Sequence, residues 1–523
     1  MKNYKNKLLI GLFAGVGLFS SCKKDFLTQM PTTQVPTEDV FTTTQGARAA
    51  LNGIHSMMYE SVDHDAFGVP SIGIMQDLMS GDMGCERIGS GWFITAYWFR
   101  DRNPDGTGSY IWGYFFRMIH NANMIIKYID DAKGSQEERD NIKAQAMFYR
   151  AYAYFNLANY YQFGYFDNQY MVKREGSRLA EIKTTTLDEA LGLPLYTEPT
   201  QTPKPRASLR QTYDLITGDL EGAIALLNGG GNNISRGTDK SQIDLSVAKG
   251  FYARVNLYMQ RWAKAADLAH EAKQGYTLMG KNEFSDGMNR LNSSEWLWGS
   301  EINAEANGIY ASFLSHMSNE IDGAYAKSQG RLINNVFFVP NVTGTDGPWL
   351  NDDDYRRNWG DTIGYTNPRG RRYFTRASKF KPQKPNSFLA DYPLLRSAEL
   401  YLIEAEALAH QGQLAQALTV LNEYGITRSP SYNFAGATKN EIVQEIWKQK
   451  RMELWGEGFG FFEAKRRMIP VSTGGVTPEA NISYANGGYR LGVENGTVPA
   501  GNEKLVFRIP SQELENNKEM IQN

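Results

Sequence analysis

The sequence predicts a mainly α fold: a helical scaffold carrying long, ordered, loop-rich excursions with short strands. Three observations predict it. Apolar residues recur at spacings of three to four towards both ends of the chain, as helices with one buried face require. Alanine-containing stretches come in pairs separated by a tight turn. Between these, residues 61–109 and 275–390 lose the period and fill with Gly, Asn, Asp and Pro. Loops this long are functional or disordered, and their many aromatic residues argue against disorder.

The helices follow in order. Residues 46–59 carry Ala50, Ile54, Met57 and Met58 on one side, and 110–129 carry Trp112, Phe116, Ile119 and Asn123. Residues 141–161 have the strongest pattern, with Ile142, Ala146, Tyr149, Ala153 and Leu157 on one stripe. The 213–227 stretch follows Ser208, a predicted cap. Residues 245–258 and 262–272 pair around Gln260-Arg261, and 393–409 pairs with 414–421 around Gly412. Small residues such as Ala265, Ala269, Ala398 and Ala417 let paired helices approach closely, in the manner of degenerate tetratricopeptide repeats. A last helix covers 439–455. Trp296-Leu297-Trp298 and 336–339 alternate as short strands do, and 466–500 reads as loops with short strands. On a strand Trp296 and Trp298 share one face, which serves a core or a ligand equally.

The N-terminus predicts export and lipidation. Lys2, Lys5 and Lys7 precede an apolar run over 8–19, and Ser20-Ser21-Cys22 supplies a small-residue cleavage site. The run is well short of the roughly 20 residues that span a bilayer. A cysteine directly after the cut is the acceptor for lipid, so Leu18-Phe19-Ser20-Ser21-Cys22 reads as a lipobox with Phe19 in place of the usual aliphatic residue. Two or three acyl chains anchor firmly where one does not. This divides the chain into a signal peptide (1–21), a lipidated tether (22–37) and one folded domain (38–523). Scaffold is expected over 38–60, 110–274 and 391–465, and ligand-binding excursions over 61–109 and 275–390.

Composition excludes several classes. The net charge is -2, and loss of the three signal lysines takes the mature chain to about -5, which disfavours nucleic acid as a partner. Cys22 and Cys85 are the only cysteines, so acylation of Cys22 leaves no intramolecular disulfide. No nucleophile elbow, zinc motif or phosphate loop occurs, and the six histidines lack metal-ligand spacing. These absences offer no candidate catalytic residue, metal site or cofactor site, although a glycosidase-like pair of carboxylates among the 57 acids stays open.

Six segments resemble, in order, the SusD/RagB-like outer-membrane nutrient-binding lipoproteins of Bacteroidota. They are Cys22-Lys23-Lys24-Asp25-Phe26-Leu27, the 112–123 helix, the 142–161 helix, Tyr213-Asp214-Leu215-Ile216 with Asp219-Leu220, Asp391-Tyr392-Pro393-Leu394-Leu395-Arg396 with its following helix, and 450–458. Phe507-Arg508-Ile509-Pro510 and Gln522-Asn523 also fit. Tyr161-Gln162-Phe163-Gly164 replaces the family's Gly-x-Val/Ile-Pro turn, and Phe461-Phe462-Glu463 replaces its ending in Asp. The resemblance implies a SusD-like fold with four tetratricopeptide-like helix pairs. It also implies a lipid-anchored, outward-facing position on the outer membrane, as a lid over a SusC-like TonB-dependent transporter. Oligosaccharide is the expected ligand, with peptide or glycoprotein-derived ligands as the alternative and a mainly structural lid as a third reading.

Within the excursions, Trp92, Tyr97, Trp98 and Trp349 are the candidate rings for stacking on a sugar. Asp77, Asp82, Arg100 and Arg102 are candidate partners for its hydroxyls. Many of these aromatics are equally suited to packing the loops. Asp391, Arg396, Arg451 and Glu453 are expected to fix helix packing. The 351–354 run (Asn-Asp-Asp-Asp) offers oxygen ligands for calcium but lacks the regular spacing of an EF-hand, so a solvated turn is expected.

Overall fold

The computed structural model describes residues 40–85, 91–97, 99, 104–302, 310–318, 320–328, 331–333, 337–338, 347–360, 365–366, 372–373, 378–472 and 497–523. The signal and Cys22 lie outside these. The principal helices are α1 (Thr44–Met57), α2 (Val69–Ser80), α3 (Thr107–Tyr128), α4 (Gln136–Tyr161), α5 (Leu209–Asn228), α6 (Leu245–Tyr258), α7 (Trp262–Ala272), α8 (Ser397–His410), α9 (Leu414–Ile426), α10 (Lys439–Glu453) and α11 (Gly460–Arg466). Each start has a local cause. Ser135 with Glu138, Ser208 with Gln211, and Thr438 with Glu441 form reciprocal capping boxes at α4, α5 and α10. The Asp244 carboxylate accepts the Val247 N–H at 2.9 Å to open α6.

The helices stack pairwise: α1 on α3, α4 on α5, α6 on α7 and α8 on α9, with α7 also packed on α8. Alanines at the crossings (Ala265, Ala269, Ala405, Ala417) are fully buried, as close approach demands. The centre of the stack is α4. From Ala144 to Tyr161 all its residues but Met147 are buried, so it is enclosed rather than amphipathic. One charged group there is neutralised in place: Arg150 meets Asp219 of α5 at 2.6 and 2.7 Å and Asn123 of α3 at 2.8 Å.

The strands are β1 (Met83–Cys85), β2 (Gln169–Lys173), β3 (Ala180–Thr184), β4 (Trp296–Ser300), β5 (Arg331–Ile333) and β6 (Tyr392–Arg396). They pair antiparallel as β1–β5, β2–β3 and β4–β6, and with two further ladders of two residues per strand they make five separate two-stranded sheets among the described residues. Residues 392–396 correct a sequence expectation, since they are strand and α8 begins only at Ser397. Proline disfavours helix in the residue before it, and the Trp296 strand supplies a partner ladder. Every residue of β4 is buried, so both Trp296 and Trp298 are core, and Trp298 packs edge-on against Phe148 and Tyr152 at 5.2 and 5.4 Å. Helix α2 lies inside the 61–109 excursion, where loop was expected. It is buried on every side from Val69 to Met79 and therefore shows no helical period. At its start the chain needs Gly68 (φ +74°), because a Cβ there would sit 2.3 Å from the Met58 carbonyl oxygen. No helix among the described residues is long and apolar enough to cross a membrane.

A buried ion network ties scaffold to excursions. Arg396 contacts Glu453 at 2.8 Å, Glu457 at 2.7 Å, and Glu295. Arg428 contacts Glu295 at 2.7 Å and Glu453 at 3.1 Å, and Arg356 contacts Asp354 at 2.7 Å. The Lys379 ammonium pairs with Glu457 and donates to the Glu453 and Trp455 carbonyls. Four cations thus face four carboxylates, each 4% exposed or less. Burial pushes the Glu453 carboxyl up, but the guanidiniums of Arg428, Arg396 and Arg356 outweigh it and hold it well below the ordinary range. A second cluster sets Lys450, Arg466 and Arg467 around Glu406 and Glu463. There burial is again outweighed, by Arg466 and Lys450, and Glu463 is held at about 2.

Two outcomes are expected. Glu453→Gln leaves buried guanidiniums without their counter-charge and lowers stability by about 3–5 kcal/mol in urea melts. Carboxyls held low in the fold stabilise fully above the unfolded value of about 4.3. Their contribution is lost as pH falls from there through about 2 for Glu463, so urea midpoints collapse in that window.

Candidate ligand-binding site

Both excursions contribute to one row of part-exposed rings. The first supplies His64, on a tight loop in which the Val62 and Asp63 N–H groups donate to the Ala66 carbonyl. Its ring stacks on Trp92 at 4.9 Å with 15° between planes. The second supplies Tyr325, whose hydroxyl lies 2.7 Å from His64 Nδ1, and Tyr310, edge-on to Tyr325 at 5.0 Å. Phe388 continues the row at 5.9 Å from Tyr310. Tyr310 is 45% exposed, and His64, Trp92, Tyr325 and Phe388 are half-buried, so the row presents aromatic surface at the protein boundary.

The row rests on a fixed base. His316 is buried and stacks beneath Tyr325 at 4.8 Å and against Phe67 at 5.7 Å. Its Nε2 donates to the His64 carbonyl at 2.8 Å, so Nδ1 is the acceptor for Arg331 at 3.2 Å. Burial, reinforced by Arg331, pushes the His316 imidazole well below its usual range, which keeps the ring neutral in this tautomer. Arg331 also donates to the Trp92 carbonyl at 3.3 Å and lies 5.4 Å over Phe93. The arrangement orients the two sides of the row against each other before any ligand arrives. Asp63 and Asp65 flank His64, and burial, then Asp63, raises the Asp65 carboxyl. The Asp63 carboxylate accepts the His64 N–H at 2.7 Å. Among the described residues no group of three or more His, Cys, Asp or Glu is arranged to hold a metal.

Two family profiles match the chain. One, described as starch-binding and associating with the outer membrane, covers residues 36–257, and the other, described as the SusD family, covers 339–523. The chain belongs to the SusD/RagB family. A SusD-like carbohydrate-binding protein of Bacteroides vulgatus superposes with a TM-score of 0.74 at 25% identity, covering 91% of this chain and 97% of that one. A SusD-superfamily protein of Bacteroides thetaiotaomicron gives 0.72 at 19% identity over 92% and 99%, which shows a shared fold. A SusD-like protein of Formosa agariphila is 24% identical over 408 residues, 69% of this chain and 73% of its own.

In this SusD-family chain the residues singled out from sequence separate. Trp92 lies in the aromatic row. Trp98, Arg100 and Arg102 fall outside the described residues. Tyr97 is buried in the core, against the expectation of ligand contact. Asp82 is a second correction: its carboxylate is buried and gripped by Arg451, with Nε at 2.7 and 2.9 Å, so it neutralises a guanidinium rather than meeting solvent. Asp77 is likewise interior and accepts the N–H groups of Gly456, Gly458 and Gly460 at 2.6, 3.2 and 3.2 Å. Burial pushes its carboxyl up to about 7 against the pull of those amides. Trp349 occupies a separate corner, 4.6 Å from the Arg451 guanidinium, which also lies 4.5 Å from Trp447.

The acids of the 351–354 run are engaged in local contacts. Asp353 accepts from Ser429 and Ser431, and Asp354 caps the turn at 355–359 and pairs with Arg356. Asn351, Asp352 and Asp353 are exposed, as a solvated turn requires, with Asp352 beside Arg357 at 3.0 Å, and only Asp354 is buried. Nothing in the sequence marks His64, Tyr310, Tyr325 and Phe388 as site residues. Tyr310 and Tyr325 are aromatic residues among Gly, Asn and Ala, a signal too common to single them out. Asp82→Asn is expected to lower stability by about 3 kcal/mol, because Arg451 keeps a partly buried charge without its counter-ion. Denaturant melts measure this, and sugar affinity is expected to stay at the wild-type value.

Proposed function

We propose that this chain captures oligosaccharides at the His64–Trp92–Tyr325–Tyr310 row and delivers them to a SusC-like TonB-dependent transporter. The observation that carries this reading is the row itself: part-exposed rings from two distant segments, held rigidly, with acidic acceptors alongside. Flat rings cover the apolar face of a pyranose, and carboxylates and hydroxyls take its hydroxyl groups. A base already in place limits the ordering cost of binding. Family membership supports a binding rather than a catalytic role and an outer-membrane setting. The carbohydrate-binding relative of Bacteroides vulgatus supports a glycan as ligand. Acylation at Cys22 would tether the domain to the outer leaflet, facing outward.

Soluble protein beginning after Cys22 is the material for the test. A glycan array followed by calorimetry is expected to find one oligosaccharide class that binds. Burying one aromatic side chain contributes roughly 1.5–3 kcal/mol. Trp92→Ala and Tyr325→Ala are therefore each expected to weaken binding about ten- to hundredfold. Binding restricted to peptides would transfer the site to peptide ligands, and co-purification with a transporter barrel without any soluble ligand would make the chain a structural lid. In full-length protein, Cys22→Ala is expected to abolish labelling by radioactive palmitate and to release the protein from the membrane fraction.

A further inference from the structure

The corner at Trp349 shares no residue with the aromatic row. Helix α10 builds one side of it: Trp447 and Arg451 lie four residues apart and so share a face. The second excursion supplies Trp349, whose ring lies 6.3 Å from that of Trp447 and 5.5 Å from Phe337. The Arg451 guanidinium lies against both indoles, 4.6 Å from Trp349 and 4.5 Å from Trp447. Lys448 brings a second cation, 5.4 Å over Trp349. Both indoles are half-buried and so keep ring surface in water.

The guanidinium is gripped at one edge and open at the other. Asp82 takes its Nε and Nη2, and Asp82 is itself fixed, since the Trp455 indole donates to its carbonyl at 3.0 Å. Nη1 has no acceptor among the described residues, and it keeps accessible surface. Asp82 cancels the charge of Arg451, so Lys448 leaves the corner with an excess positive charge. Glu445, three residues before Lys448, is engaged by Tyr432 at 3.0 Å and Gln449 at 2.8 Å. A guanidinium is planar and weakly hydrated, and a carboxylate on one edge with indoles beside it holds it in one orientation. Its open N–H pair is therefore aimed before a ligand arrives, which limits the ordering cost of binding.

We propose that the corner formed by Trp349, Trp447, Lys448 and Arg451 is a second binding site, selective for uronic acid residues of a glycan. A small anion uses the two cations and leaves the rings unused. A neutral sugar uses the rings and leaves the charges unused. A sugar that carries its own carboxylate uses both, with an apolar ring face for an indole and an oxyanion for Nη1 and the Lys448 ammonium. Neither this site nor the aromatic row depends on the other, because they have no side chain in common.

Fluorine NMR of the soluble chain labelled with fluorotryptophan resolves each indole, so the corner and Trp92 of the row are read separately. Galacturonate and glucuronate are titrated at matched ionic strength, beside galactose, glucose and acetate. At least one uronate is expected to move the Trp349 and Trp447 signals further than the neutral sugars or acetate do at the same concentration. Lys448→Gln removes one cation and is expected to weaken uronate binding about two- to fivefold. Arg451→Lys keeps a cation for Asp82 but removes the open N–H pair, which is expected to weaken binding about tenfold or more. Trp447→Ala is expected to abolish the Trp349 response, and Lys518→Gln, an exposed cation outside both sites, to leave the affinity unchanged. The proposal is overturned if no uronate moves the two signals, or if acetate or a neutral sugar moves them as far. It is also overturned if the response keeps wild-type affinity in both Lys448→Gln and Arg451→Lys. Movement with an acidic peptide but with no uronate overturns it as well, and makes the corner a protein contact.

Discussion

The buried cluster of Arg356, Lys379, Arg396 and Arg428 with Glu295, Asp354, Glu453 and Glu457 is the constraint on which the architecture depends. Taking eight charges out of water is costly, and their mutual attraction offsets that cost only when every partner is in place. The partners come from segments up to 162 positions apart, between Glu295 and Glu457. Satisfying them all therefore sets how the 275–390 excursion sits on α8–α10. A network of this kind selects one arrangement over near alternatives more than it adds net stability.

That arrangement reaches the aromatic row through intermediate contacts. Glu295 precedes β4, and β4 pairs with β6, whose last residue is Arg396. Asp391, just before β6, accepts the Leu291 and Ile302 N–H groups at 2.9 and 3.1 Å and so fixes both ends of the β4 segment. Asp77 does the same for the 456–460 turn, where α2 meets the segment that carries Glu457. The rings of the aromatic row then sit on a backbone whose polar groups are already satisfied, and His316 and Arg331 join its two halves.

The helical part was legible because its information is local. Periodicity marked α6 and α7 to the residue, and the capping boxes of α4, α5 and α10 are visible as Ser-x-x-Glu, Ser-x-x-Gln and Thr-x-x-Glu. The structural role expected for Arg396 and Glu453 agrees with their burial, although the partners are not those adjacent in sequence. Helix α2 is not legible in the sequence because an element buried all round has no polar face to give it a period. The 393–396 stretch read as helix because its apolar residues continue the pattern of α8, and only the β4 strand converts it to sheet.

Site residues were less legible, for a related reason. Trp92, Tyr97 and Asp82 occupy one similar stretch, yet one lies at the boundary, one in the core and one under Arg451. Composition says that an aromatic or an acid is present, whereas its use depends on what folds against it from hundreds of residues away. The sequence by itself determined the helix-pair scaffold, the family and the expectation of a lipid-anchored binder, since these rest on short-range spacing and ordered motifs. Tertiary structure alone decided which rings share a face and which carboxylates are consumed by guanidiniums. Those outcomes depend on long-range burial and charge pairing, which no local pattern encodes.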